Sequence, residues 1–111
     1  MSRNVEVHVT ILEADPVRLD ASMTAATKEF EDLEFDVPDD LTRSVVSLNA
    51  FATGVIYGRM TGAKLAENLA TAIFQANEKP CQVTIGVNEL DSPPTWDFGP
   101  KDFARLTRQA P

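Results

Sequence analysis

Val5, Val7, Val9 and Ile11 alternate with Glu6, His8, Thr10 and Leu12. A side-chain period of two, rich in β-branched residues, commits residues 4–13 to a strand with one buried face. The alternation returns downstream, where Cys81, Val83, Ile85 and Val87 interleave with Gln82, Thr84, Gly86 and Asn88, and predicts a second strand built the same way. Two strands by themselves make a marginal sheet with two open edges. Further strands must come from Glu34–Val37, from Val45–Tyr57, from the tail, or from another subunit. The last option leads us to expect a homo-oligomer that completes the sheet.

Helical signals lie between the two strands. Asp15-Pro16 offers a capping carboxylate followed by proline at the first helical position, where its missing N–H costs nothing. Leu19, Met23, Ala26, Phe30 and Leu33 then form one apolar stripe, predicting a helix to about residue 32. Carboxylates at its far end oppose the helix dipole. Val37-Pro38 favours an extended connection, with room for a brief edge strand at Glu34–Val37. From Ser44 to Gly58 there is no charged residue, and Leu41, Val45, Leu48, Ala52 and Val55 recur at helical spacing. This favours a second, largely buried helix. Gly54, Gly58 and the β-branched residues make a hairpin through Val45–Tyr57 the alternative. Leu65, Leu69, Ala72, Ile73 and Ala76 predict a third helix, ended by Asn77 before Pro80. The expected fold is thus a small α+β domain over residues 1–90, with strands packed on two to three helices. Residues 91–111 are expected to form a docked C-terminal extension, pinned by Trp96 and Phe98 and ending in a short helix with Phe103 and Leu106.

Charge is the strongest compositional feature. The 111 residues hold 17 Asp and Glu against 10 Lys and Arg, a net charge of −7. Glu29, Glu31, Asp32, Glu34, Asp36, Asp39 and Asp40 account for all of it, because the other ten acids balance the ten bases. A stretch this acidic suits a basic protein surface or a cation and disfavours direct nucleic-acid binding. It lacks the alternating acids and the glycine of a calcium loop. No apolar run is long enough for a membrane span, and the first residues lack a signal sequence's apolar core. A cytoplasmic location is therefore expected.

Motifs for chemistry are sparse. One cysteine and one histidine provide neither an intramolecular disulfide nor a Cys/His zinc cluster, so no metal or cofactor is expected. His8 could act as a general base with Glu6 orienting its ring. Cys81 shares the register of the buried valines and reads as a small hydrophobe. Ala50, Gly54, Gly58 and Gly62 recur every four residues, a small-residue face if helical and a set of turn positions otherwise. No P-loop, G-x-G-x-x-G or G-x-S-x-G pattern is present. A helix opening at Thr61-Gly62 near Arg59 and Lys64 could hold a small anion. Arg105 and Arg108, three apart, suit a phosphate or carboxylate.

Two functions follow as expectations. The first is a non-enzymatic interaction or inhibitory protein that binds a basic protein partner through Glu29, Glu31, Asp32, Glu34, Asp36, Asp39 and Asp40. The alternative is a binder or sequestering protein for an anionic metabolite or nucleotide, held at a subunit interface by Arg59, Lys64, Arg105 and Arg108.

Overall fold

The alternating N-terminal segment becomes β1 (Ser2–Ala14), the central strand of a five-stranded sheet. The computed structural model describes residues 2–38, 42, 44–79, 81–88 and 95–107. β1 leads through a 3₁₀ turn at Pro16–Arg18 into α1 (Leu19–Glu29), followed by β2 (Glu34–Asp36) and β3 (Val46–Tyr57). Next come α2 (Gly62–Asn77), β4 (Gln82–Asn88), β5 (Thr95–Phe98) and α3 (Pro100–Thr107). The strand order is β2-β3-β1-β4-β5, antiparallel throughout. Within it, β1-α1-β2 and β3-α2-β4 are interlocked split β-α-β units, a ferredoxin-like connectivity. That topology alone implies no function.

The helix favoured over Val45–Tyr57 does not form; the segment is β3 instead. Val46, Leu48, Ala50, Ala52 and Ile56 are buried, while Ser47, Asn49, Phe51 and Thr53 face outward. Val45, which the helical stripe needs inside, is 47% exposed. β-branched residues fit this pleated surface, and β3 supplies the long antiparallel partner that β1 needs along one edge. The spacing of Ala50, Gly54, Gly58 and Gly62 therefore marks no helical face. The first two lie in β3, Gly58 turns the chain at φ 61°, and Gly62 opens α2. All five strands come from one chain, so the missing-strand reason for expecting a homo-oligomer falls away.

α1 stops at Glu29, short of the expected residue 32. Phe30 turns extended (φ −148°, ψ 102°), which keeps Glu31 and Asp32 out of a helix end whose dipole they would oppose. The ring of Phe30 instead lies beneath Gly54 of β3, where an added Cβ would come within 2.6 Å of its Cζ. β1 carries one irregularity. Between Ile11 and Ala14 it uses one more residue than β3, with Glu13 at φ 64°. This bulge turns Ala14 inward to 1% exposure.

α1 and α2 cover one face of the sheet, and Leu65, Leu69, Ile73 and Phe74 of α2 are buried with the inward side chains of β1, β3 and β4. The segment expected as an extension joins this body: β5 pairs with β4, and Phe103 of α3 meets Phe74 edge-on at 5.6 Å. Phe98 and Leu106 are buried; the Trp96 side chain lies outside the described residues. Asn77 ties the two crossovers together. At 1% exposure, its Oδ1 accepts from the Asp15 N–H (2.9 Å) and its Nδ2 donates to the Lys79 carbonyl (2.7 Å). Around it, Arg18 donates from Nε to the Ala76 carbonyl and pairs with Glu78, and Lys79 meets Asp15 at 3.1 Å.

Gly54→Ala should cost about 1–3 kcal/mol in urea unfolding through overpacking against Phe30. In the Gly54→Ala/Phe30→Leu double variant the smaller side chain relieves the clash, so the combined loss should be clearly less than the sum of the single losses. Additive losses would show that the ring does not limit this position.

Candidate functional site

With both long helices on one face, the other face of the sheet is left open among the described residues, and the pairing register fixes what it displays. Glu34 of β2, Phe51 of β3 and His8 of β1 stand side by side across three strands. Asp36, Asn49, Thr10, Thr84 and Asp97 form the next row, crossing all five. Hydrogen bonds bind this row in pairs: Thr10 Oγ1 donates to Asn49 Oδ1 at 2.9 Å, and Thr84 Oγ1 to Asp97 Oδ1 at 2.7 Å.

The first row is aromatic at its centre. The rings of His8 and Phe51 are 4.7 Å apart between centroids and tilted by 54°, and Phe51 is 42% exposed. With Glu34, Asp36, Thr10 and Asn49 they line a shallow depression of about 320 Å³. Gly86, opposite His8 on β4, adds no side chain there. Glu6 and Asp97 add further carboxylates to this face, and its outward strand positions carry no Lys or Arg among the described residues.

The acidic stretch is therefore not one surface. Glu34 and Asp36 belong to the open face, whereas Glu29, at the end of α1, lines a groove on the helical side with Lys64, Glu67 and Leu106. Glu31 and Asp32 are exposed in the turn between α1 and β2. Asp39 and Asp40 lie outside the described residues. Among the described residues, none of Glu29, Glu31, Asp32, Glu34 and Asp36 forms an ion pair. Phe51, Asn49 and Thr10 were not singled out by sequence reasoning. The signal available was the alternation of β3, which places Asn49 and Phe51 on the same side as His8 and Thr10.

The basic candidates are dispersed. Thr61 caps α2 by accepting the Lys64 N–H at 3.0 Å, which occupies one of the free donors an anion would use. The groove beside Lys64 holds the carboxylates of Glu29 and Glu67. Arg59 is exposed in the turn after β3. Arg105 is held at 3.1 Å by Asp102, whose other oxygen accepts the Gly99 N–H that opens α3. Arg108 lies outside the described residues. No hydrogen bond joins His8 to Glu6 among the described residues. Cys81 is fully buried, and desolvation, with a smaller contribution from Glu13, pushes its thiol up to about 11. No group of three or more His, Cys, Asp or Glu is placed to hold a metal ion among the described residues.

Two measurements test these local electrostatics. Cys81 should resist a disulfide reagent at neutral pH in the folded protein and react with one equivalent in urea; rapid labelling of the native chain would contradict its burial. The Gly99 N–H, then the Arg105 guanidinium, hold the Asp102 carboxyl below its usual 3.8. A lowered folded-state value stabilises the fold above the unfolded value and loses that contribution as pH falls through the folded one. Thermal stability should therefore decline below about pH 4, and Asp102→Asn should flatten part of the decline; an identical pH profile would remove Asp102 as a contributor. Among known proteins, the chain matches no family, no curated protein and no solved structure.

Proposed function

We propose that this protein is a non-enzymatic interaction protein, regulatory or inhibitory in action, that engages a basic surface on a partner protein. The contact surface is the open face of the sheet together with its acidic edge strand β2, and the setting is the cytoplasm. One observation carries this reading: Glu34 and Asp36 stand on the same outward surface as the exposed ring of Phe51, and no Lys or Arg shares that surface among the described residues. An aromatic anchor flanked by carboxylates suits a cationic partner, which it attracts over a distance and then desolvates on contact.

Among the described residues, the two candidate groups for chemistry are not activated, which favours a binding role. His8 packs at a tilt against Phe51 and has no orienting carboxylate bonded to it among the described residues. Cys81 is a buried thiol far from the thiolate range at neutral pH. The anionic-ligand alternative has weaker support, because Lys64 shares its groove with Glu29 and Glu67 and Arg105 is occupied by Asp102.

A labelled nona-lysine peptide provides a defined basic probe for fluorescence anisotropy. The Glu34→Gln/Asp36→Asn variant should bind it about 10-fold more weakly than the parent, a loss of roughly 1.4 kcal/mol, with a shallower salt dependence. Asp20→Asn, a neutral substitution on the helical side, should leave binding unchanged. Equal affinities for the parent and the Glu34/Asp36 variant would remove the basis for this assignment.

A further inference from the structure

We infer that the depression between β1, β2 and β3 is a receptor for an arginine side chain, so that the basic partner is recognised by a guanidinium and not by positive charge alone. This rests on the proposed function and gives it a chemical specificity. Charge by itself does not distinguish arginine from lysine, but the furnishing of the depression does. Phe51 presents an exposed ring, tilted by 54° against the His8 ring 4.7 Å away. Glu34 is the direct cross-strand neighbour of Phe51, and Asp36 lies two residues further along the same edge strand.

Directly paired side chains in an antiparallel sheet have their Cβ atoms about 5 Å apart, and residues two along a strand are about 7 Å apart. One aromatic surface and two carboxylates therefore fall within reach of a single planar cation. A guanidinium can lie flat on a ring while its edge donates two parallel hydrogen bonds to a carboxylate. An ammonium is a compact, strongly hydrated charge, and gains the carboxylate contact without the stacked one. None of the four side chains is engaged by a Lys or Arg of this chain among the described residues, and their negative charge complements a cation supplied by the partner. The neighbouring Thr10–Asn49 pair, closed at 2.9 Å, bounds the depression on the side away from the aromatic row.

The test compares nona-arginine with nona-lysine at fixed ionic strength, using the parent protein and two variants. The parent should bind nona-arginine about 2- to 5-fold more tightly, the range expected for one added cation–π contact at an exposed site. Phe51→Leu retains an apolar residue at an exposed strand position; it should weaken nona-arginine binding more than nona-lysine binding and so abolish this preference. Glu34→Gln/Asp36→Asn should weaken both peptides. Nona-arginine should also shift the ring resonances of His8 and Phe51 in ¹H–¹³C spectra. Equal binding of the two peptides by the parent, or a preference that survives Phe51→Leu, would overturn the arginine receptor and leave the acidic contact surface standing. Failure of both peptides to bind would overturn both.

Discussion

β1 has to be satisfied on three sides at once, and the rest of the molecule follows from that requirement. Its inward valines and isoleucine are at most 3% exposed, so a layer of helices must cover that face. Its two edges carry backbone donors and acceptors that need long partners, and β3 and β4 provide them on either side. Antiparallel neighbours that are not consecutive in the chain force crossovers, and α1 and α2 are those crossovers. The helices thus serve as both connections and cover, which is why they lie on the same face. Among the described residues, no helix or strand is then left to cover the opposite face.

The two crossovers also meet at one end of the sheet. β1 passes into the turn before α1 at Asp15, α2 passes toward β4 at Glu78 and Lys79, and Asn77 bonds to both junctions. A buried amide with each end engaged is costly to replace by an apolar side chain, because the backbone groups it serves would be left without partners. The bulge at Glu13 helps to set this junction. By adding one residue to β1 it buries Ala14 and brings the Asp15 N–H to the Asn77 carbonyl oxygen.

The parts of the fold legible in the sequence were those with strong contrast between faces. Val5 to Ile11, Val83 to Val87 and Leu65 to Ile73 each separate apolar from polar positions cleanly, and each forms the expected element. β3 lacks that contrast. Two of its buried positions are only alanines, Ala50 and Ala52, while Phe51, Val55 and Tyr57 occupy outward positions. This blurs the period of two and lets a helical spacing through Val45, Leu48, Ala52 and Val55 compete. The candidate site was partly legible for the same reason. Excess negative charge at Glu29–Asp40 is visible from composition, but its division between two faces depends on where α1 ends. The meeting of His8 with Phe51 depends on a strand register that neither segment encodes alone.

The acid-bearing edge is also the least secured part of the sheet. β2 is three residues long and pairs with Asn49, Ala50 and Phe51, so β3 continues past it from Ala52 to Tyr57 with no strand on that side among the described residues. An element held by so few ladder bonds opens at a small fraction of the cost of global unfolding. The corner is consequently contested ground. A partner that grips Glu34 and Asp36 in place would lock the strand down, whereas one that brings its own extended segment would compete with β2 for the same backbone groups of β3.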